Sequence, residues 1–172
     1  LVDGIPEAAI VAREDPQDAD GDGVRGRARR LADGRVGRFG WKAQVASLAE
    51  FTVDALSNEL GLTVPAEVQA RTAAAVGFTA DDDGVADPEV SAGDVDDLTA
   101  FLAALAPLPR AAAGSPGAEQ GEAAFTGLGC ATCHVPRLPG RDGAPVPLHS
   151  DLLLHDVTPA DARLVPDGDV DR

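Results

Sequence analysis

The sequence predicts a mainly α-helical chain with long irregular connections and at most a short hairpin, around 24–41. Three observations lead there. Apolar residues recur at helical spacing in two stretches that carry their own start and stop residues. A third helix reads immediately before a Cys-x-x-Cys-His run. The chain as a whole holds 19 Gly and 13 Pro among 172 residues, which suits long irregular connections.

Taken in order, residues 1–46 are rich in Gly, Asp and Arg and hold few long apolar stretches. Asp18-Ala19-Asp20-Gly21-Asp22-Gly23 has the D-x-D-x-D-G opening of an EF-hand loop, so Asp18, Asp20 and Asp22 are candidate Ca²⁺ ligands. The twelfth position is Arg29, where a bidentate Glu belongs. The segment is therefore either a half-loop that borrows a ligand or a plain acidic turn.

Ser47-Leu48-Ala49-Glu50 reads as a capping box. After it Leu48, Phe51, Ala55, Leu56 and Leu60 form one stripe, read as a core face, and Gly61 supplies the stop. Asp81-Asp82-Asp83-Gly84 is a loop. Asp94 is read as the cap of a second helix whose stripe is Val95, Leu98, Phe101, Leu102 and Leu105, ended by Pro107. Residues 107–117, rich in Pro, Ala and Gly, read as a linker between 1–106 and 118–172. A third helix over 119–129 starts from Ser115-Pro116, a hydroxyl cap followed by Pro at the first helical position, and places Phe125 and Leu128 on one face. A proline-rich stretch and the run Leu152-Leu153-Leu154 then lead to His155.

The chemistry is concentrated in Cys130-Ala131-Thr132-Cys133-His134. C-x-x-C-H is the c-type haem attachment pattern: two thiols on one turn add to the haem vinyl groups, and the adjacent imidazole lies under the iron as an axial ligand. The two cysteines of the chain are both in this motif. Gly121 and Phe125 ahead of it resemble the first helix of small c-type cytochromes, so cytochrome-c-like helical lobes are expected. A carbonyl of Pro136 or Pro139 is the expected acceptor for the other imidazole N–H.

Two alternatives exist. Cys130, Cys133, His149 and His155 read C-x2-C-x15-H-x5-H, within the loose zinc range. Pro136, Pro139, Pro145 and Pro147 in the intervening stretch oppose a compact zinc finger. A C-x-x-C thiol–disulfide site calls for a thioredoxin-like βαβ context, and none is visible.

A net charge of −15 and a sequence pI near 4.3 argue against nucleic acid and anionic membrane surfaces as partners. They suit solubility or a basic electron-transfer partner. No apolar run is long enough to span a bilayer. Covalent haem is attached outside the cytoplasmic membrane, so a periplasmic or otherwise extracytoplasmic location is expected, with an export signal upstream. The chain has no Met. The distal haem position is then open, filled by His149 or His155, or filled by a residue outside this chain.

Gly37-Arg38-Phe39-Gly40-Trp41-Lys42-Ala43-Gln44, the Asp-Gly run before it, and Ser150-Asp151-Leu152-Leu153-Leu154-His155-Asp156 resemble the di-haem c-type oxidoreductases, also called C-x-x-C "thiol oxidoreductases". That family is similar to bacterial di-haem cytochrome c peroxidases. The resemblance implies a longer protein with another haem site upstream and further segments downstream. These residues then read as an internal fragment with one haem c site, Cys130, Cys133 and His134, the second lying outside.

The resemblance also implies an electron-relay role for Trp41, the alternative being an indole packed on haem or core. It implies acid–base work on peroxide for Glu59, the alternative being an exposed helix-end carboxylate. Phe51 stands where relatives often have Gln, and Val157 where they often have Met. Two function classes follow: a peroxidase-like enzyme transferring electrons between haems to peroxide or another small substrate, and a non-enzymatic electron carrier for a redox partner protein. A zinc-stabilised module is the third.

Overall fold

The computed structural model describes residues 1–72, 76–106 and 114–156. Helices and loops dominate, with two small antiparallel pairings. The helices are α1 (Glu7–Val11), α2 (Leu48–Asp54), α3 (Ala66–Gln69), α4 (Ala92–Ala104) and α5 (Pro116–Gly127). The strands are β1 (Gly26–Arg27), β2 (Arg137–Pro139), β3 (Pro145–Pro147) and β4 (Leu154–His155).

Helix starts follow local chemistry. Ser47 caps α2, and the Glu50 side chain returns to the Ser47 N–H, closing the box. A π turn over Ala55–Glu59 prolongs α2, and Gly61 with φ +74° ends it as expected. Ser115 caps α5 through the Ala118 N–H with Pro116 in the first turn. α4 corrects the sequence reading. Its cap is Ser91, and Asp94 is the third helical residue, whose carboxylate accepts from the Ser91 N–H at 2.9 Å.

The stripes need correcting too. α2 buries Glu50, Thr52 and Val53, and the π turn buries Leu56 and Ser57, whereas Leu60 is exposed. On α4 Val95 is buried, while Leu98, Phe101 and Leu105 are exposed. α4 packs against α2, and toward its end Phe101 and Leu105 stay exposed while Leu102 is half-buried.

Strand pairing was largely unforeseen. The expected short hairpin survives as a tight loop with a bridge between Arg30 and Val36, but Gly26 and Arg27 pair with His155 and Leu154 instead. β2 and β3 form a hairpin in the proline-rich stretch, Leu138 opposite Val146. Its prolines sit at strand ends of a two-stranded ribbon, where a missing N–H removes little.

Two cores result. One gathers Val53, Leu56, Val64, Val68 and Val95. The other joins Ile5, Ile10, Ala28 and Val36 to Val135, Leu138 and Val146, with Leu148, Leu152 and Leu153 against it. It thus unites chain from both sides of 107–117, of which 107–113 lie outside the described residues, as does Val157. Among the described residues no helix is long and apolar enough to cross a membrane.

Candidate functional site

α5 ends at Gly127, and Gly129 with φ +80° turns the chain into a 3₁₀ turn over Cys130–Thr132. The His134 N–H donates to the Cys130 carbonyl at 3.0 Å, so both thiols and the imidazole belong to one compact turn. The cysteines are half-buried free thiols. Burial, with Asp151 and Asp22 nearby, pushes the Cys133 thiol above its ordinary pKa.

The imidazole of His134 is oriented. Its Nδ1 lies 3.1 Å from the His149 carbonyl. A carbonyl only accepts, so Nδ1 carries the proton and Nε2 presents its lone pair. The acceptor is therefore His149 and not a proline carbonyl, because β3 returns the chain past the ring. Phe125 of α5 packs on both histidines, tilted against His134 (centroids 6.4 Å apart) and edge-on to His149 (5.8 Å).

His155 is engaged at both ring nitrogens: Nδ1–H donates to the Arg25 carbonyl (3.1 Å), and Nε2 lies 2.7 Å from the Asp151 carboxylate. Asp151 is buried, accepts the Leu153 N–H at 2.9 Å and donates its own N–H to the Cys133 carbonyl at 3.2 Å. Sequence reasoning passed over Asp151 as a site residue; its i, i+4 spacing to His155 was the available signal. An open cleft of about 230 Å³ lies beside the turn, lined by Asp15, Asp20, Asp22, Thr132, Asp151 and His155, among others.

The zinc arrangement does not form. Among the described residues, Cys130, Cys133, His149 and His155 do not converge, and His155 has both nitrogens committed elsewhere. The cysteine turn has no βαβ setting either. The carboxylates that do converge near the acidic loop are Asp15, Asp18 and Asp20. Asp22, expected with them, instead accepts from the Val24 N–H at 2.8 Å. Asp15, three residues before Asp18, replaces it and also accepts the Ala19 N–H.

Trp41 and Glu59 lie outside this cluster. Trp41 is 97% exposed, so the core alternative for it fails. The loop that carries it is tightly built: a Cβ on Gly37 would come within 1.8 Å of the Ala43 carbonyl oxygen. Glu59 is exposed at the end of the π turn.

The donor set fits a covalently held haem. Two reduced thiols share a turn with an imidazole whose Nε2 has no hydrogen-bond partner among the described residues. A family model described as "Di-haem oxidoreductase, putative peroxidase" matches residues 1–167 of the 172. No curated protein and no solved structure matches the chain. With the family model spanning nearly all of it, the chain belongs to the di-haem oxidoreductases.

Proposed function

We propose that this chain carries one c-type haem of a peroxidase-like oxidoreductase. Cys130 and Cys133 would hold the haem by thioether bonds, and His134 would bind its iron through Nε2. The group would supply one-electron chemistry and a coordination position for a small oxidant such as peroxide; the second haem lies outside these residues. The observation that supports this most is the hydrogen bond from His134 Nδ1–H to the His149 carbonyl, which leaves Nε2 for a metal.

The enzyme reading is favoured over the electron carrier by the other two histidines. The His149 backbone is anchored on the Nδ1 side of His134, away from Nε2. His155 spends both ring nitrogens within the protein. The chain has no Met. None of these offers a sixth ligand in this arrangement, which supports a coordination position kept for a small ligand. In this reading the haem domain begins near 118, and the protein works in the periplasm or another extracytoplasmic space.

The test is the spectrum of haem-loaded protein. A high-spin signal that shifts with cyanide or peroxide is expected. A wholly low-spin haem, unmoved by either, would make this an electron carrier. Colourless protein with stoichiometric zinc would overturn both.

A further inference from the structure

Resting on the haem reading, we propose that the left-handed backbone of His149 is a positioning device for His134: it delivers the carbonyl that fixes the imidazole's tautomer and so sets how strongly Nε2 donates.

In water a neutral imidazole favours the proton on Nε2. Here the carbonyl 3.1 Å from Nδ1 requires the opposite form. The bond reverses the ring's own preference, and donation from Nδ1–H makes Nε2 the stronger electron donor. Nothing on His134 itself enforces this; the instruction comes from residue 149.

His149 has φ +52°, in the left-handed region that few non-Gly residues occupy and that Asn, Asp and His tolerate best. Its surroundings explain how it is held there. Leu148, one residue earlier, packs on the core that contains Val135 and Val146. Asp151, two residues later, donates its N–H to the Cys133 carbonyl. The bend at 149 is thus pinned on both sides, once to the core and once to the cysteine turn. Phe125 adds a third restraint by touching both rings. An extended residue at 149 would swing the carbonyl off Nδ1. Histidine at this place acts through its main chain, and its ring serves to seat it on Phe125.

Two variants separate backbone from ring. His149→Asn and His149→Val both delete the imidazole, but Asn tolerates the left-handed region and β-branched Val does not. In the haem-free 172-residue chain, ¹⁵N NMR of the ring reads the His134 tautomer. Wild type and His149→Asn are expected to show the Nδ1–H form; His149→Val is expected to move to the Nε2–H form. In the haem-loaded protein, His149→Val should have a higher midpoint potential and a lower iron–imidazole stretching frequency than His149→Asn.

Equal tautomers in the Asn and Val variants, or an Nε2–H wild type, would overturn the proposal. If His149→Val fails to fold, the smaller β-branched His149→Thr takes its place; it should lose part of the Nδ1–H population, and no loss would overturn the proposal. A chain that shows the expected tautomers yet takes up no haem supports the positioning and sinks only the reading it rests on.

Discussion

The carboxylate of Asp151 lies 2.7 Å from Nε2 of His155, while Nδ1 of the same ring donates to the Arg25 carbonyl. One proton therefore sits between the two side chains, and the pair is satisfied as a unit. Through the Asp151 N–H it also reaches the Cys133 carbonyl. One buried residue, Asp151, thus holds His155 of β4 by its carboxylate and the cysteine turn by its main chain. Asp151→Ala should cost about 2–4 kcal/mol in urea unfolding, because it strands a nearly buried imidazole nitrogen and the Leu153 N–H. Amide exchange at Gly26 and His155 should quicken together. A loss under about 0.5 kcal/mol would show that the link is ornamental.

Glu50 holds the start of α2. It is 3% exposed, accepts both Arg35 guanidinium nitrogens (2.6 and 3.1 Å) and takes the Ala46 and Ser47 N–H groups. Glu50→Ala should cost about 3 kcal/mol, since it leaves several donors unpaired at a helix start. Ser91→Ala, which opens the exposed box on α4, should cost about 1 kcal/mol. Denaturant titration that ranks the two in the other order would contradict the burial difference.

Gly37 admits no side chain against the Ala43 carbonyl. Gly37→Ala should destabilise the protein by about 2 kcal/mol or more and release the loop over 37–45. Trp41 is the single tryptophan and lies on that loop. Its emission should be solvent-like in the native chain and shift little on unfolding, given its near-complete exposure. A blue-shifted native emission would mean that something covers the indole.

Cys133 gives a pH test. Burial first, then Asp151 and Asp22, raise its thiol pKa. The folded thiol keeps its proton to higher pH than the unfolded one, so the associated stability is present below the ordinary thiol range and is lost as pH rises through the folded value. Alkylation of Cys133 in the native chain should lag that in urea at neutral pH. Asp22→Asn should speed it a few-fold, one pKa unit being about tenfold in thiolate. An unchanged rate would remove Asp22 from the account.

The legible parts of this molecule were those written within a few residues. Ser47 with Glu50, Ser115 with Pro116, and Gly61 each announce a boundary because capping is local chemistry. The cysteine turn was readable for the same reason. The Ser91 cap escaped notice because its partner at the third position is Asp94, and Asp reads as easily as a cap itself. The β2–β3 hairpin was hidden by prolines that disfavour interior strands but are tolerated at the ends of a ribbon. What could not be read was distance: Gly26 pairs with His155, and the His134 partner is a main-chain atom fifteen residues on. No side-chain pattern encodes which carbonyl a bend will deliver.

The core that joins Ile5, Ile10 and Val36 to Val135 and Val146 has a temporal consequence. Contacts separated by more than a hundred residues close late in folding, after the capped helices between them. The stretch bearing His149 is anchored to that core. Until that core closes, the turn with the two thiols can form without the carbonyl that aims the histidine beside them. The orientation of that ring is therefore a late product of the fold, imposed when the chain's distant segments close.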